Sequence, residues 1–415
     1  MNFKNYLFYY SICFYIAILT IVPSNYKIHG VAISDCFFMV LICLYLGILI
    51  TKSDSRKRFT AGLRDFFTDK LGISMVALGI IMMYSVTYSL EKGLAITESV
   101  RYISYVILFF IIKYECSDKK LTNMVIKCYF YIGAALGVLG IFQYFFGFNE
   151  SKFIANYKFG ARERITATMG NPNQYVAFLI MIIFPLIMVS IFESNKRNKI
   201  IFFIIDFIII INIGLTFSRN GYIAFFIGCV ALVVIYNLKF IIFVLIAAVS
   251  AFIIPQTSKR ILELGDKSQN FTRINLWKTA IKMFEEHPLR GVGNGNFVSY
   301  YDAYVKKYPK ELYIYYDYQR YPAHNSYLKV LSELGVIGII PFILIIIFSF
   351  LNLIKFITNR KNDVYKFIGM GIIASISAFL FMNLFENLFF VPSVTACFWV
   401  FLALEGSITY WEKVQ

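Results

Sequence analysis

Charge is what this sequence has least of. Asp, Glu, Lys and Arg make up 15% of its 415 residues, whereas a soluble domain averages about 25%. With 59% of the residues hydrophobic, that shortage excludes a soluble globule. Histidine is nearly absent, at three residues, and no HExxH or other zinc-ligand spacing occurs. No DxD-like acidic cluster lies in an outer connection either, so the expectation is a reaction without metal or cofactor. Seven cysteines are present, six in apolar runs and Cys116 in a short loop. None lies in the long polar segment, which leaves no disulfide framework and no CxxC site. Internal repeats of roughly 20–50 residues are missing too.

What the sequence has instead is apolar length. Runs of about 18 or more apolar residues recur along the chain, the signature of membrane-crossing helices. The expected fold is an all-α polytopic membrane protein with about 12 transmembrane helices. The spans fall near 6–24, 31–51, 71–90, 98–113, 122–146, 172–192, 199–216, 220–237, 239–255, 325–353, 366–385 and 389–409. The first run, Tyr6 to Val22, has the look of a signal peptide. No small-residue cleavage site follows it and a second run starts at once, so it is read as the first span. Lys52, Arg56, Lys57, Arg58, Arg64 and Lys70 crowd the second connection, and Lys355, Arg360, Lys361 and Lys366 the tenth. Alternate connections and both termini therefore belong in the cytosol. The same bias absorbs much of the net charge of +16, so nucleic acid is not an expected partner.

Two outer connections stand apart. One, residues 147–170, carries Lys152, Lys158, Arg162 and Arg164. The other, residues 256–323, is the only long polar segment, with eleven Lys or Arg and seven Asp or Glu. It divides the chain into an N-terminal bundle (1–255), an extracytoplasmic loop (256–323) and C-terminal helices (324–415). Within it, Ile274, Trp277, Ile281 and Phe284 repeat at helical spacing, an amphipathic helix for the membrane surface or the bundle's outer end. His287-Pro288 ends that helix, because proline disfavours helical geometry in the residue before it. Gly291-Val292-Gly293-Asn294-Gly295-Asn296 then turns the chain; no Gly-Lys-Ser/Thr follows, so it is not a P-loop. A tyrosine-rich run, Tyr300 to Tyr321, reads as an interfacial aromatic belt in preference to a sugar-stacking surface.

The candidates for chemistry sit at outer ends of spans. Thr216-Phe217-Ser218-Arg219-Asn220-Gly221 is a polar break between apolar runs, and a charge there is costly unless paired or wetted. Arg164 precedes Asn171-Pro172-Asn173, a turn into a helix whose N-terminus favours anions. Arg273 opens the amphipathic helix, and a guanidinium pairs bidentately with phosphate where lysine cannot. Tyr321-Pro322-Ala323-His324-Asn325-Ser326 runs from the polar segment into a span. His324 there is a titratable group suited to proton transfer at neutral pH. His29 and His287 have no supporting pattern. Glu386, near the outer end of another span, is a possible but weakly signalled partner.

These segments resemble the O-antigen ligase and O-antigen polymerase superfamily. The resemblance rests on His324-Asn325-Ser326-Tyr327-Leu328 with Glu333-Leu334-Gly335-Val336-Ile337-Gly338. It also rests on Arg273, Trp277, Phe284, His287-Pro288-Leu289 and Gly291-Val292-Gly293, on Ser218-Arg219-Asn220-Gly221, and on Arg164 with Asn171-Pro172-Asn173 and Ala177. Ala167 departs from the pattern, standing where a glycine is common. The resemblance implies a membrane glycosyltransferase in the cytoplasmic membrane. Its donor would be an undecaprenyl-diphosphate-linked glycan at the outer face and its acceptor the hydroxyl of another glycan. His324 is then the base, Arg219 and Arg273 the diphosphate clamp with Arg164 as a third cation, and Asn325, Asn173 and Trp277 substrate contacts. A polymerase is favoured over a ligase to lipid A core or protein. A flippase of lipid-linked sugars is the competing class, although its binding site belongs at the midplane. The imidazole and both guanidiniums are expected to meet in one wet pocket.

Overall fold

In the computed structural model the described residues are 3–23, 26–28, 31–115, 119–147, 154–155, 162–242, 267–313, 320–361 and 363–414. The expected span at 239–255 falls largely outside them, as does His29. The helices in chain order are α1 (Phe3–Ile21), α2 (Ile33–Thr51), α3 (Ser53–Phe66), α4 (Lys70–Ser85), α5 (Lys92–Glu115), α6 (Lys119–Phe146) and α7 (Pro172–Phe192). They continue with α8 (Lys196–Leu215), α9 (Arg219–Ile235), α10 (Lys267–Glu286), α11 (Phe297–Lys307), α12 (Ser326–Asn359), α13 (Val364–Met382) and α14 (Pro392–Val414). The described strands form two short antiparallel hairpins, Lys27–Ile28 with Val31–Ala32 and Ile154–Ala155 with Arg162–Glu163. Among the described residues eight helices are long and apolar enough to cross a membrane, or nine if the bent pair α3–α4 is one span. This is a polytopic helical membrane protein.

The basic second connection holds a helix that the apolar pattern did not announce. Phe59, Leu63 and Phe66 recur at helical spacing and pack inward, while Lys57 and Arg64 stay on the outer side. Asp69 then caps α4 by accepting from the Leu71 amide, and the chain turns by 83° between α3 and α4.

At the centre lies α7, buried along most of its length against α13, α8 and α9. Pro185 sits inside it, and proline has no N–H to give the carbonyl four residues back. That carbonyl, on Met181, accepts instead from Ser375 Oγ of α13 at 2.8 Å. In a medium without water such a substitution is obligatory, since an orphaned carbonyl costs several kcal/mol, roughly.

The same constraint explains the outer segment. Helix α12 is broken at Gly335, whose φ of 62° and ψ of −161° are open essentially only to glycine. The break frees carbonyls on one side and amides on the other. Residues 288–293 fill both sets. The Val292 and Gly293 amides donate to the Ser332 and Glu333 carbonyls at 3.0 and 2.8 Å, and the Val336 and Ile337 amides donate to Pro288 and Leu289 at 2.8 and 3.2 Å. Both chains must come close, and a Cβ on Gly291 or on Gly335 would run into the opposing backbone. The Glu333 carboxylate adds to the lock, accepting from the Gly295 amide at 2.8 Å, the Phe297 amide at 3.1 Å and Lys329 Nζ at 2.5 Å. The glycine-rich turn and the Glu-Leu-Gly segment are thus two halves of one joint.

Outside the bundle, α10 and α11 enclose a second small core that includes Leu276, Ala280, Met283, Phe297, Tyr301 and Tyr304. Helix α10 ends at 286 as expected but starts at 267, six residues ahead of the expected start at Arg273, and its inward face is Leu276, Ala280 and Met283. Ile274 and Ile281 remain exposed, available to the membrane surface. Part of the tyrosine run departs from the expected interfacial belt, with Tyr313 exposed and Tyr315, Tyr316 and Tyr318 outside the described residues. Tyr301 and Tyr304 are buried, and Tyr304 and Tyr308 donate to Glu286, as does Lys307.

Gly335→Ala is expected to lower stability by about 3 kcal/mol or more, through forbidden backbone geometry plus the clash with Leu289. Thermal unfolding of the purified protein measures this, and an unshifted melting temperature would refute the joint.

Candidate active site

Three segments from distant parts of the sequence enter helices side by side at one end of the bundle. Each turns sharply at a non-glycine residue with positive φ: Ala167 at 47°, Phe217 at 47° and His324 at 48°. Such conformations cost of order 1–2 kcal/mol each and cluster at functional sites. At Ala167 the left-handed backbone accounts for the glycine that the family resemblance leads one to expect there. Each segment then caps its helix. Asn171 accepts from the Asn173 amide, Ser218 from the Gly221 amide, and Asn325 from the Tyr327 and Leu328 amides.

The side chains converge on Glu386, in the turn between α13 and α14. Its Oε2 lies 3.1 Å from His324 Nδ1. Its Oε1 accepts from Arg273 Nη2 at 2.7 Å and from Asn173 Nδ2 at 2.7 Å. Asn173 Oδ1 in turn accepts from Arg164 Nη2 at 3.0 Å and from Ser218 Oγ at 2.8 Å. The Glu386 side chain is 8% exposed, against 27% for Arg273 and 28% for His324. So the carboxylate is enclosed, while the two groups it holds still reach the surface. The turn is fixed from below: Ser326 donates to Asn383 through both Oγ and its amide, and the Asn325 amide donates to Asn387 Oδ1.

Burial by itself pushes the Glu386 carboxyl up. The hydrogen bond and charge of His324, with the Arg273 charge and the Asn173 amide, outweigh it and hold the carboxyl below the usual range. An ionised carboxylate is acceptor-only. A neutral His324 therefore carries its proton on Nδ1, leaving the Nε2 lone pair open as a base.

Beside this network lies a cleft of about 330 Å³ lined by Arg219, Arg273, Trp277, Ile223, Phe381 and Phe385, among others. Two guanidiniums stand over a largely apolar floor, a shape suited to an anionic headgroup on an apolar tail. Trp277 packs against Phe385 with ring centroids 6.0 Å apart, and its buried Nε1 has no partner among the described residues. Of the residues singled out in the sequence, His324, Arg273, Asn173 and Arg164 share one network. Arg219, Trp277 and Arg273 share the cleft. Asn325 does not line the cleft; its side-chain oxygen is given to the helix cap and its amide to Asn387. His287 ends α10, its amide donating to Met283. Glu386 is the residue that sequence reasoning undervalued. The signal was its cost, a carboxylate beside an apolar span that needs a stated partner.

Residues 204–343 match the family model described as O-antigen ligase. The matched segment is similar to that family and covers about a third of the chain. It takes in Arg219, Arg273, Trp277, His324 and Asn325, and lies between Arg164 and Asn173 on one side and Glu386 on the other. Comparison with curated proteins finds no match.

A carboxyl whose folded pKa lies below its unfolded one stabilises the fold in full above the unfolded value, and the contribution is lost as pH falls through the folded value. The melting-temperature advantage of wild type over Glu386→Gln is therefore expected to shrink below about pH 4.3. An advantage that stays constant on acidification would refute the ionised pairing.

Proposed function

We propose that this protein is a membrane glycosyltransferase acting on undecaprenyl-diphosphate-linked oligosaccharide at the outer face of the cytoplasmic membrane. Polymerisation onto a second lipid-linked glycan is favoured over ligation to lipid A core or to protein. The observation that carries the reading is the Glu386 carboxylate, which binds His324, Arg273 and Asn173 together beside a cleft with a second guanidinium. The proposed topology keeps about twelve spans, cytosolic termini and an extracytoplasmic 256–323 loop, with bundles 1–255 and 324–415 on either side.

In the proposed reaction the acceptor hydroxyl oxygen attacks the anomeric carbon of the donor sugar. His324 Nε2 takes the hydroxyl proton as the new glycosidic bond forms. The bond from the anomeric carbon to the diphosphate breaks, and the electron pair leaves with the diphosphate. Arg219 and Arg273 stabilise that charge, and Arg164 supports it through Asn173. Glu386 is a positioning residue that orients the imidazole and holds Arg273 until phosphate oxygens compete for it. The Trp277 N–H is placed to donate to the same ligand. The polyprenyl tail lies over Ile223, Phe381 and Phe385.

The test is reconstitution in proteoliposomes with lipid-diphosphate oligosaccharide and no other enzyme. Longer chains are expected. His324→Ala should lower kcat by about 10²–10⁴. Arg219→Lys keeps the charge and loses the planar fork, and should raise KM for the donor about tenfold or more. Wild-type rates in both variants would remove the assignment. Glycan crossing the bilayer without new bonds would establish the transporter instead.

A further inference from the structure

The last turn of α6 carries a buried amide that the proposed reaction does not use. Gln143 is 8% exposed, at the end of a span where a buried polar group is costly unless paired. Its partners lie on one short segment of the next connection. Nε2 donates to the Ala167 carbonyl at 2.7 Å, and Oε1 accepts from the Ala167 and Thr166 amides at 2.8 and 3.2 Å. One side chain thus meets both backbone groups of Ala167, as a neighbouring strand would. Ala167 is a corner with φ of 47°, a conformation that persists only where the surroundings over-determine it. Besides Gln143 those surroundings include Gly140, one turn earlier on α6. A Cβ there would crowd Ile165 and Asn212, so the glycine lets the segment lie against the helix.

Arg164, three residues before the corner, reaches two other segments of the site. Its Nε donates to the Thr216 carbonyl at 2.9 Å, next to the strained Phe217, and its Nη2 to Asn173 Oδ1 at 3.0 Å. The second bond decides which way the Asn173 amide faces. With Arg164 and Ser218 Oγ both donating to Oδ1, Nδ2 is turned to Glu386 Oε1 at 2.7 Å. Turned over, the amide would set its oxygen against the carboxylate, two acceptors face to face. A serine hydroxyl alone does not enforce the choice, since it can accept as well as donate, whereas a guanidinium only donates. The contacts therefore run from Gln143 through Ala167, Arg164 and Asn173 to the carboxylate that holds His324.

We infer that Gln143 is a positioning residue for the transfer reaction, clamping the left-handed corner at Ala167 so that Arg164 keeps the Asn173 amide facing Glu386. The inference rests on the glycosyltransferase reading and deepens it. Gln143→Ala is expected to lower kcat by about 10–100-fold, the scale of a small displacement of a reacting group. The donor KM should stay near the wild-type value, because Arg219 and Arg273 remain in the cleft. Ala167→Gly tests the route. Glycine takes positive φ freely, so the double variant Gln143→Ala with Ala167→Gly should regain most of the lost kcat. If Gln143 served packing alone, glycine would loosen the segment further and the double variant would be slower than the single one. Gln143→Glu keeps the side-chain volume, so it answers even where the alanine variant fails to fold. Its protonated acid offers a donor and an acceptor as the amide does, its carboxylate only acceptors. The kcat of Gln143→Glu relative to wild type should therefore fall as pH rises. A wild-type kcat in Gln143→Ala, a double variant no faster than the single, or a pH-independent ratio for Gln143→Glu would overturn the inference and leave the function standing. Hydrogen exchange at the Thr166 and Ala167 amides reads the clamp without turnover: it should quicken in Gln143→Ala, and unchanged exchange would also overturn the inference. Wild-type protein that forms no longer chains would instead overturn the glycosyltransferase reading.

Discussion

A buried carboxylate cannot stand alone in this environment, and that requirement organises the outer end of the molecule. Glu386 is enclosed next to a membrane bundle, where an unpaired charge costs several kcal/mol, roughly. It is met by an imidazole from the start of α12, a guanidinium from α10 and an amide from the start of α7. Asn173, the farthest of the three in sequence, lies 213 residues from Glu386. Satisfying one anion therefore fixes their mutual positions. The price is strain at Ala167, Phe217 and His324, each held with positive φ at the corner where its chain enters a helix.

The second constraint is the backbone's need for hydrogen bonds in lipid. It appears twice in the same form. Pro185 leaves a carbonyl of α7 open and Ser375 closes it. Gly335 opens a whole turn of α12 and residues 288–293 close it. The second repair joins residues 288–293 to α12, the helix that follows His324, so that segment is part of the scaffold that holds the imidazole. Glu333 and the glycines around residue 293 belong to this joint. Their chemistry is recognition of one chain segment by another: the carboxylate sits where a free anion would sit at the N-terminus of α11.

Ion pairs gather at both ends of the molecule. Toward the end expected in the cytosol, Lys113 pairs with Asp65 and Asp69, and Arg360 with Asp363 and Glu412. Toward the other end Arg273 pairs with Glu386, Lys307 with Glu286, Arg320 with Asp302, and Lys329 with Glu98 and Glu333.

Composition and apolar run length alone determined that the chain is a helical membrane protein. Among the described residues eight of the expected spans coincide with helices long and apolar enough to cross, or nine with the bent α3–α4 pair, because burial in lipid demands about twenty apolar residues whatever the neighbours are. The ends of those runs, and the rarity of histidine and outer arginine, also singled out His324, Arg219 and Arg273. Local sequence did not reveal α3, since basic residues masked its inward Phe59, Leu63 and Phe66. Nor did it reveal the break at Gly335, which exists only because residues 288–293 are there to complete it. Above all it undervalued Glu386, whose role depends on three partners brought together by packing. Transfer of apolar side chains into lipid is a property each segment has by itself. Pairing of buried polar groups is a property of distances, and only the folded chain sets them.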